Sequence, residues 1–163
     1  MPSPNKPAAE LTLEERINRL EEIEAIKKMK AEYVLACDER RSDDSMDYFT
    51  SNAVVAFGPF GRFETRQELD IFFKEKMPVT ISFTVHRLSN PIIDVDGNTA
   101  KGIWYCEIPS THIPTNKAIL QQGTYYDEYI KEGNEWKHTK LDLVYSYITE
   151  FGEGWVKQNM VTV

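Results

Sequence analysis

Three residues offer chemistry in an otherwise ordinary sequence: Tyr33, Asp38 and His86. A free imidazole titrates near pH 6.5, so His86 could act as a general base if a carboxylate fixed its tautomer. Asp38 is a candidate for that carboxylate, and Tyr33 carries a phenol able to donate a hydrogen bond or a proton. Plainer readings stand beside these. A histidine on the polar face of a strand is more often solvated, and an aspartate at a helix end more often caps a turn or pairs locally, here with Arg40 or Arg41. A tyrosine on a helix stripe is more often core. Spacing alone leaves both sets open.

The elements that would carry these residues can be read from periodicity. No Gly or Pro interrupts residues 13–40, and Thr12 with Glu15 forms a capping-box signature, which predicts a long first helix. At about 100° per position, Ile23, Ile26, Tyr33, Val34 and Cys37 share one stripe. Tyr33 therefore faces inward, while Asp38 falls at the stripe's edge near the helix end. Residues 44–49 predict a short second helix, 53–57 a β-prone stretch, and 65–77 a third helix capped by Thr65 and stopped by Pro78.

Period two then takes over, at residues 80–88, 92–95, 99–108, 117–130 and 135–149. Asp96-Gly97-Asn98 and Glu132-Gly133-Asn134 supply tight turns. Alternation from Ile81 to Leu88 puts Ile81, Phe83 and Val85 on one face and Ser82, Thr84 and His86 on the other. His112, in a Pro-flanked loop, and His138, after Trp136 and Lys137, are expected at the surface. Helices followed by hairpin-linked strands are an α+β pattern, with the helices packed on one face of a curved antiparallel sheet. Residues 1–10 predict a flexible tail, 11–150 the folded domain, and the apolar extension 151–163 a lid or a subunit contact.

Composition narrows the classes. The 163 residues are enough for one core, and a hydrophobic share of 41% is ordinary for a globular chain. A net charge of −7 without a long basic run argues against nucleic acid as a partner. No apolar stretch approaches the roughly 20 residues of a membrane span, and Met1-Pro2-Ser3-Pro4 opens no signal core, so a cytoplasmic location is expected. Cys37 and Cys106 read as reduced core thiols, and neither has a partner at metal-ligand spacing. No phosphate-binding Gly loop is present, so neither metal nor cofactor is expected.

The segment Tyr33-Val34-Leu35-Ala36-Cys37-Asp38, the strand histidine His86, and the block Gly123-Thr124-Tyr125-Tyr126-Asp127-Glu128-Tyr129 followed by Trp136-Lys137 resemble the SnoaL-like superfamily over residues 12–150. Similar-looking members are bile acid 7α-dehydratase, scytalone dehydratase and hexachlorocyclohexane dehydrochlorinase. The resemblance implies a cystatin-like α+β cone, a curved antiparallel sheet wrapped around a long N-terminal helix and two shorter ones, with an interior cavity. It implies His86 as base, Asp38 as its orienting partner and Tyr33 as acid or oxyanion donor, without a cofactor. The dehydrochlorinase pattern has Lys where Tyr33 stands and the dehydratases have Tyr, which implies loss of water. The bile acid dehydratase pattern has an Arg in the last strand where this chain has Tyr145, so an anionic substrate group lacks its expected partner. Such relatives are commonly trimers or dimers built through the open sheet face, which implies a homo-oligomer.

Further walls of a substrate pocket come from Phe57 in the β-prone stretch, Trp104 and Cys106 on one strand face, Tyr125, and Tyr145 beside Leu141, Leu143 and Tyr147. Plain core is the alternative for each. Such walls suit a small hydrophobic, polycyclic or aromatic ligand. The sequence thus points to a cofactor-independent dehydratase acting on a hydrophobic hydroxylated carbonyl compound. The same parts without a leaving group would make an isomerase or cyclase of steroid or polyketide type. Without chemistry the fold would serve as a ligand-binding module.

Overall fold

Helix α1 (Leu13–Asp38) begins at a complete capping box: the Thr12 side chain accepts from the Glu15 N–H at 3.2 Å, and the Glu15 carboxylate accepts from the Thr12 N–H at 2.7 Å. Its buried stripe holds Ile26, Met29, Lys30, Tyr33, Val34 and Ala36. The helix stops where Arg40 turns into the left-handed region at φ 59°. Residues 11–153 and Lys157 are described by this computed structural model. The expected tail, residues 1–10, lies outside them, as does the extension's expected role as lid or subunit contact, since beyond residue 153 only Lys157 is described.

Helix α2 (Ser42–Asp47) leads into β1 (Phe49–Ala56), a 3-10 turn at Gly58–Phe60 and β2 (Arg62–Phe63). Helix α3 (Arg66–Ile71), capped by Thr65 and Glu68, runs through a π-helical turn at Phe72–Lys76 into α4 (Met77–Thr80). The expected stop at Pro78 is thus corrected: the helix continues to Thr80 with Pro78 just after the π-turn, and the Phe73 carbonyl there accepts from the Ser42 hydroxyl at 3.2 Å. The π-turn sets Phe72 and Phe73 side by side, both buried.

The remaining strands are β3 (Ile81–Thr84), β4 (Arg87–Asp96), β5 (Thr99–His112), β6 (Lys117–Glu132) and β7 (Glu135–Glu150). They form one sheet in the order β2-β1-β7-β6-β5-β3, with β4 also on β5. Pairing is antiparallel except between β1 and β7, which run parallel. The single strand expected at residues 80–88 is in fact broken. Thr84 pairs with Ser110 and Arg87 with Glu107, and Val85-His86 forms the gap between β3 and β4 along the same edge of β5. Gly97 and Gly133, at φ 57° and 64°, close the two-residue hairpins as their turn type demands.

Register shifts curl the sheet and change which residues face the core. In β7, shifts opposite Glu128/Tyr129 and Gln122/Gly123 leave Thr139 and Ser146 without a partner in the ladder. His138, Leu141, Leu143 and Ile148 are therefore all buried, and Tyr147 leaves the row of Leu141, Leu143 and Tyr145 that strict alternation predicts. His138 is fully buried and His112 nearly so, which corrects the expectation of two surface histidines. For His112 the reason is that β5 continues through the Pro-flanked segment and ends on an inward position.

Candidate active site

Helix α1 delivers Asp38 as its last residue, and the gap between β3 and β4 delivers His86 to it. Asp38 Oδ1 lies 2.6 Å from His86 Nδ1, and Asp38 Oδ2 accepts the His86 backbone N–H at 2.9 Å. The break in the edge strand frees this N–H from the ladder and makes it available to the carboxylate. Both side chains are mostly enclosed, at 15% and 17% exposure. With Nδ1 donating to the carboxylate, Nε2 carries the lone pair, the tautomer that a general base requires.

His86 lines a cavity of about 260 Å³ between the helices and the concave face of the sheet. Ile81 and His86 both line it, although strict alternation puts them on opposite faces. The register shift between Ile81 and Phe83 reverses the phase between them, and Phe83 is left 53% exposed. Helix α1 contributes Tyr33 and Cys37, and the sheet contributes Tyr125, Leu143 and Tyr145. The rings of Phe57 and Phe72 stack with centroids 5.2 Å apart and form an aromatic wall with Phe73. Burial pushes the Tyr33 phenol well above its ordinary value, and the neighbouring Cys37 thiol adds to the shift. The phenol is therefore a neutral donor throughout the physiological range. Burial also pushes the Cys37 thiol up, to about 11.

Of the residues singled out in the sequence, Tyr33, His86, Phe57, Tyr125 and Tyr145 line this cavity, with Asp38 bonded to His86. Trp104 and Cys106 do not line it. Their strand face is continuous with the cavity wall, but they lie further along it. The Trp104 indole N–H donates to the Tyr129 hydroxyl at 2.9 Å, and the Cys106 thiol packs on the Gly123 carbonyl at 3.5 Å. Arg40, Ser110 and Gln121 line the cavity without having been singled out. The signal for the last two was present, because both fall on inward positions otherwise filled by residues such as Ile108 and Ile119.

Behind the cavity, the fully buried Lys30 and Asp127 pair at 2.7 Å between Nζ and Oδ2. Lys30 also sits 3.8 Å from the centroid of the Tyr125 ring. Asp127 accepts from the Tyr129 hydroxyl at 2.7 Å and faces His138 Nε2 at 3.7 Å. Burial works to raise the Asp127 carboxyl, but the Lys30 ammonium and the neighbouring His138 outweigh it and hold the group below its ordinary value. Among the described residues, no group of three or more His, Cys, Asp or Glu is placed to hold a metal, and no helix is long and apolar enough to cross a membrane.

A curled mixed sheet closed by a long N-terminal helix over an interior cavity defines an α+β protein of the cystatin-like class. The SnoaL-like domain model matches residues 18–142, and the chain belongs to that family. Uncharacterized proteins of Mycobacterium tuberculosis and Mycobacterium bovis are 26% identical over 128 residues, 78% of this chain and 84% of theirs. Among solved structures, a scytalone dehydratase-like protein of Novosphingobium aromaticivorans superposes with a TM-score of 0.75 at 20% identity, over 82% of this chain and 89% of that one. A hexachlorocyclohexane dehydrochlorinase of Novosphingobium barchaimii gives 0.76 at 18% identity, over 83% and 94%. At such identities these likenesses establish the shared fold.

Proposed function

We propose that this chain is a cofactor-independent dehydratase, a carbon–oxygen lyase acting on a hydrophobic hydroxylated carbonyl compound. The observation that carries the reading is the 2.6 Å contact between His86 Nδ1 and Asp38 Oδ1 at the wall of an aromatic-lined cavity. His86 Nε2 takes the proton next to the carbonyl, and Asp38 stabilises the imidazolium that results. The electron pair left on carbon forms the new double bond as the C–O bond breaks. Tyr33 gives its proton to the departing hydroxyl, which leaves as water, and the imidazolium proton restores the phenol in the following step. Two of the structural neighbours are named for eliminations, one of water and one of hydrogen chloride, on the same fold.

The test is a screen of hydrophobic hydroxy-ketones for thermal stabilisation, followed by the absorbance of a new conjugated double bond. His86→Gln should abolish turnover and leave ligand binding in place. Unchanged turnover in that variant rejects His86 as the base.

A further inference from the structure

Arg40 follows the last turn of α1 in the left-handed region, at φ 59°, and its side chain returns to the cavity. Among the described residues that line the cavity it alone carries a fixed charge, and none is acidic. A guanidinium beside an aromatic wall runs against the composition of a chain with a net charge of −7. Its Nη2 donates to the carbonyl of Ile81, a cavity residue only 2% exposed, and that bond ties the group to the start of β3. The charges near it are engaged elsewhere. Asp38 contacts His86 at two points, Glu39 pairs with Arg41, and Arg62 and Arg87 each have a glutamate of their own. Arg40 has no carboxylate partner among the described residues, so the rest of its N–H donors are free of protein acceptors.

Arg40 is also exposed to solvent, which places it at the mouth of the cavity, while Phe57, Phe72 and Phe73 form the aromatic wall within. A planar fork of donors, anchored at one nitrogen, matches the geometry of a carboxylate, and a charge-assisted bond is about twice as strong as a neutral one. We propose that Arg40 is the recognition site for a carboxylate carried by the ligand, whose apolar frame lies against the aromatic wall. The inference rests on the cavity being the substrate site. It narrows the substrate class from hydrophobic hydroxylated carbonyl compounds to those that also bear a carboxylate. His86 lines the same cavity, so a molecule of that class meets the cation with its acid end and the proposed base with its carbon frame. Arg40 binds and orients; it takes no part in the proton transfers.

The test is equilibrium binding, independent of turnover, by calorimetry on the full chain at about pH 8, where imidazolium groups do not compete for an anion. The probes are 2-naphthoate and its neutral isostere 2-naphthamide. The expected result at low salt is binding of 2-naphthoate about tenfold or more tighter than the amide, with the margin narrowing at about 1 M sodium chloride. Arg40→Gln should bring the two within about twofold while far-UV dichroism remains native. Arg40→Lys, which keeps the charge and loses the planar fork, should retain part of the preference. Equal binding of the two probes by the native protein overturns the proposal. So does a preference that survives Arg40→Gln, or an absence of saturable naphthoate binding. A preference that depends on Arg40, without dehydration of any hydroxylated keto acid, would count against the lyase reading alone. Dehydration of neutral hydroxy-ketones with equal binding of the probes would sink this proposal and leave that reading standing.

Discussion

The Asp38 carboxylate holds His86 at two points, ring Nδ1 at 2.6 Å and backbone N–H at 2.9 Å. Two anchors fix both the position of the residue and the rotation of its ring, which a single ring contact would not do. Asp38→Asn tests the orienting role. An asparagine can keep the backbone contact through its carbonyl, but it presents an N–H to the imidazole and favours the tautomer with the lone pair on Nδ1. In the dehydration assay kcat should fall by about 10²- to 10⁴-fold with little change in melting temperature. A kcat within twofold of the native value would mean that Asp38 serves only the backbone.

Tyr33 lies on the cavity wall with its hydroxyl beside the Cys37 thiol, and burial keeps the phenol neutral. Tyr33→Phe removes the proton donor and leaves the ring in its packing against Phe49, centroids 5.2 Å apart. The expected result is a loss of about 10- to 100-fold in kcat, with KM changed by less than about threefold. Because the shift is upward, the native pH profile should show no alkaline limb from Tyr33 below pH 10. A loss confined to KM would make the residue a binding contact.

Much of this arrangement is legible in the sequence, and the rest fails for identifiable physical reasons. The α1 stripe and its capping box are local properties, so the inward face of Tyr33 follows from spacing. The pairing of Asp38 with His86 joins residues 48 positions apart and depends on a break in the edge strand that no local pattern announces. Alternation likewise fails at each register shift, which is why His138 moves from the expected surface into the core and Tyr147 moves out of the Leu141 row. Lys30 was hidden for another reason: a lysine on a helix stripe reads as a solvated edge, and only its partner Asp127 on β6 makes full burial tolerable.

Lys30 and Asp127 form a pair in which each charge is fully enclosed. Removing one partner leaves the other charged and buried, which costs far more than the pair contributes. Lys30→Met should therefore lower unfolding free energy by about 3–5 kcal/mol in urea titration. Lys30→Met combined with Asp127→Asn should recover a substantial part of that loss, because the remaining group is neutral and still accepts from Tyr129. A double variant as unstable as the sum of the singles would show that the charges do not act on each other.

His138 gives the folded state an acid-sensitive element that is independent of His86. Its Nδ1 contacts the Tyr48 carbonyl at 3.0 Å, and Nε2 faces Asp127 Oδ2 at 3.7 Å inside a shell formed by Tyr33, Phe49 and Tyr129. Burial disfavours the imidazolium and lowers the folded-state value; the Asp127 carboxylate pulls the other way, and the Lys30 ammonium adds to the depression. The sign follows from proton uptake. Below the ordinary value of about 6.5 the unfolded chain protonates this histidine while the folded chain resists, so the unfolded state binds more protons and stability falls as pH falls. Asp127, also depressed, adds a loss of the same sign only below its own ordinary value of about 3.9. The melting temperature of the native protein should thus be level just above pH 6.5 and decline from there toward pH 4.5. His138→Asn, whose amide nitrogen takes the place of Nδ1, keeps a donor for the Tyr48 carbonyl and has nothing to titrate, so it should flatten the curve across that interval without altering the loss nearer pH 3. Scanning calorimetry on both proteins in matched buffers decides the matter: parallel curves from pH 7 to 4.5 would assign the acid sensitivity to another group.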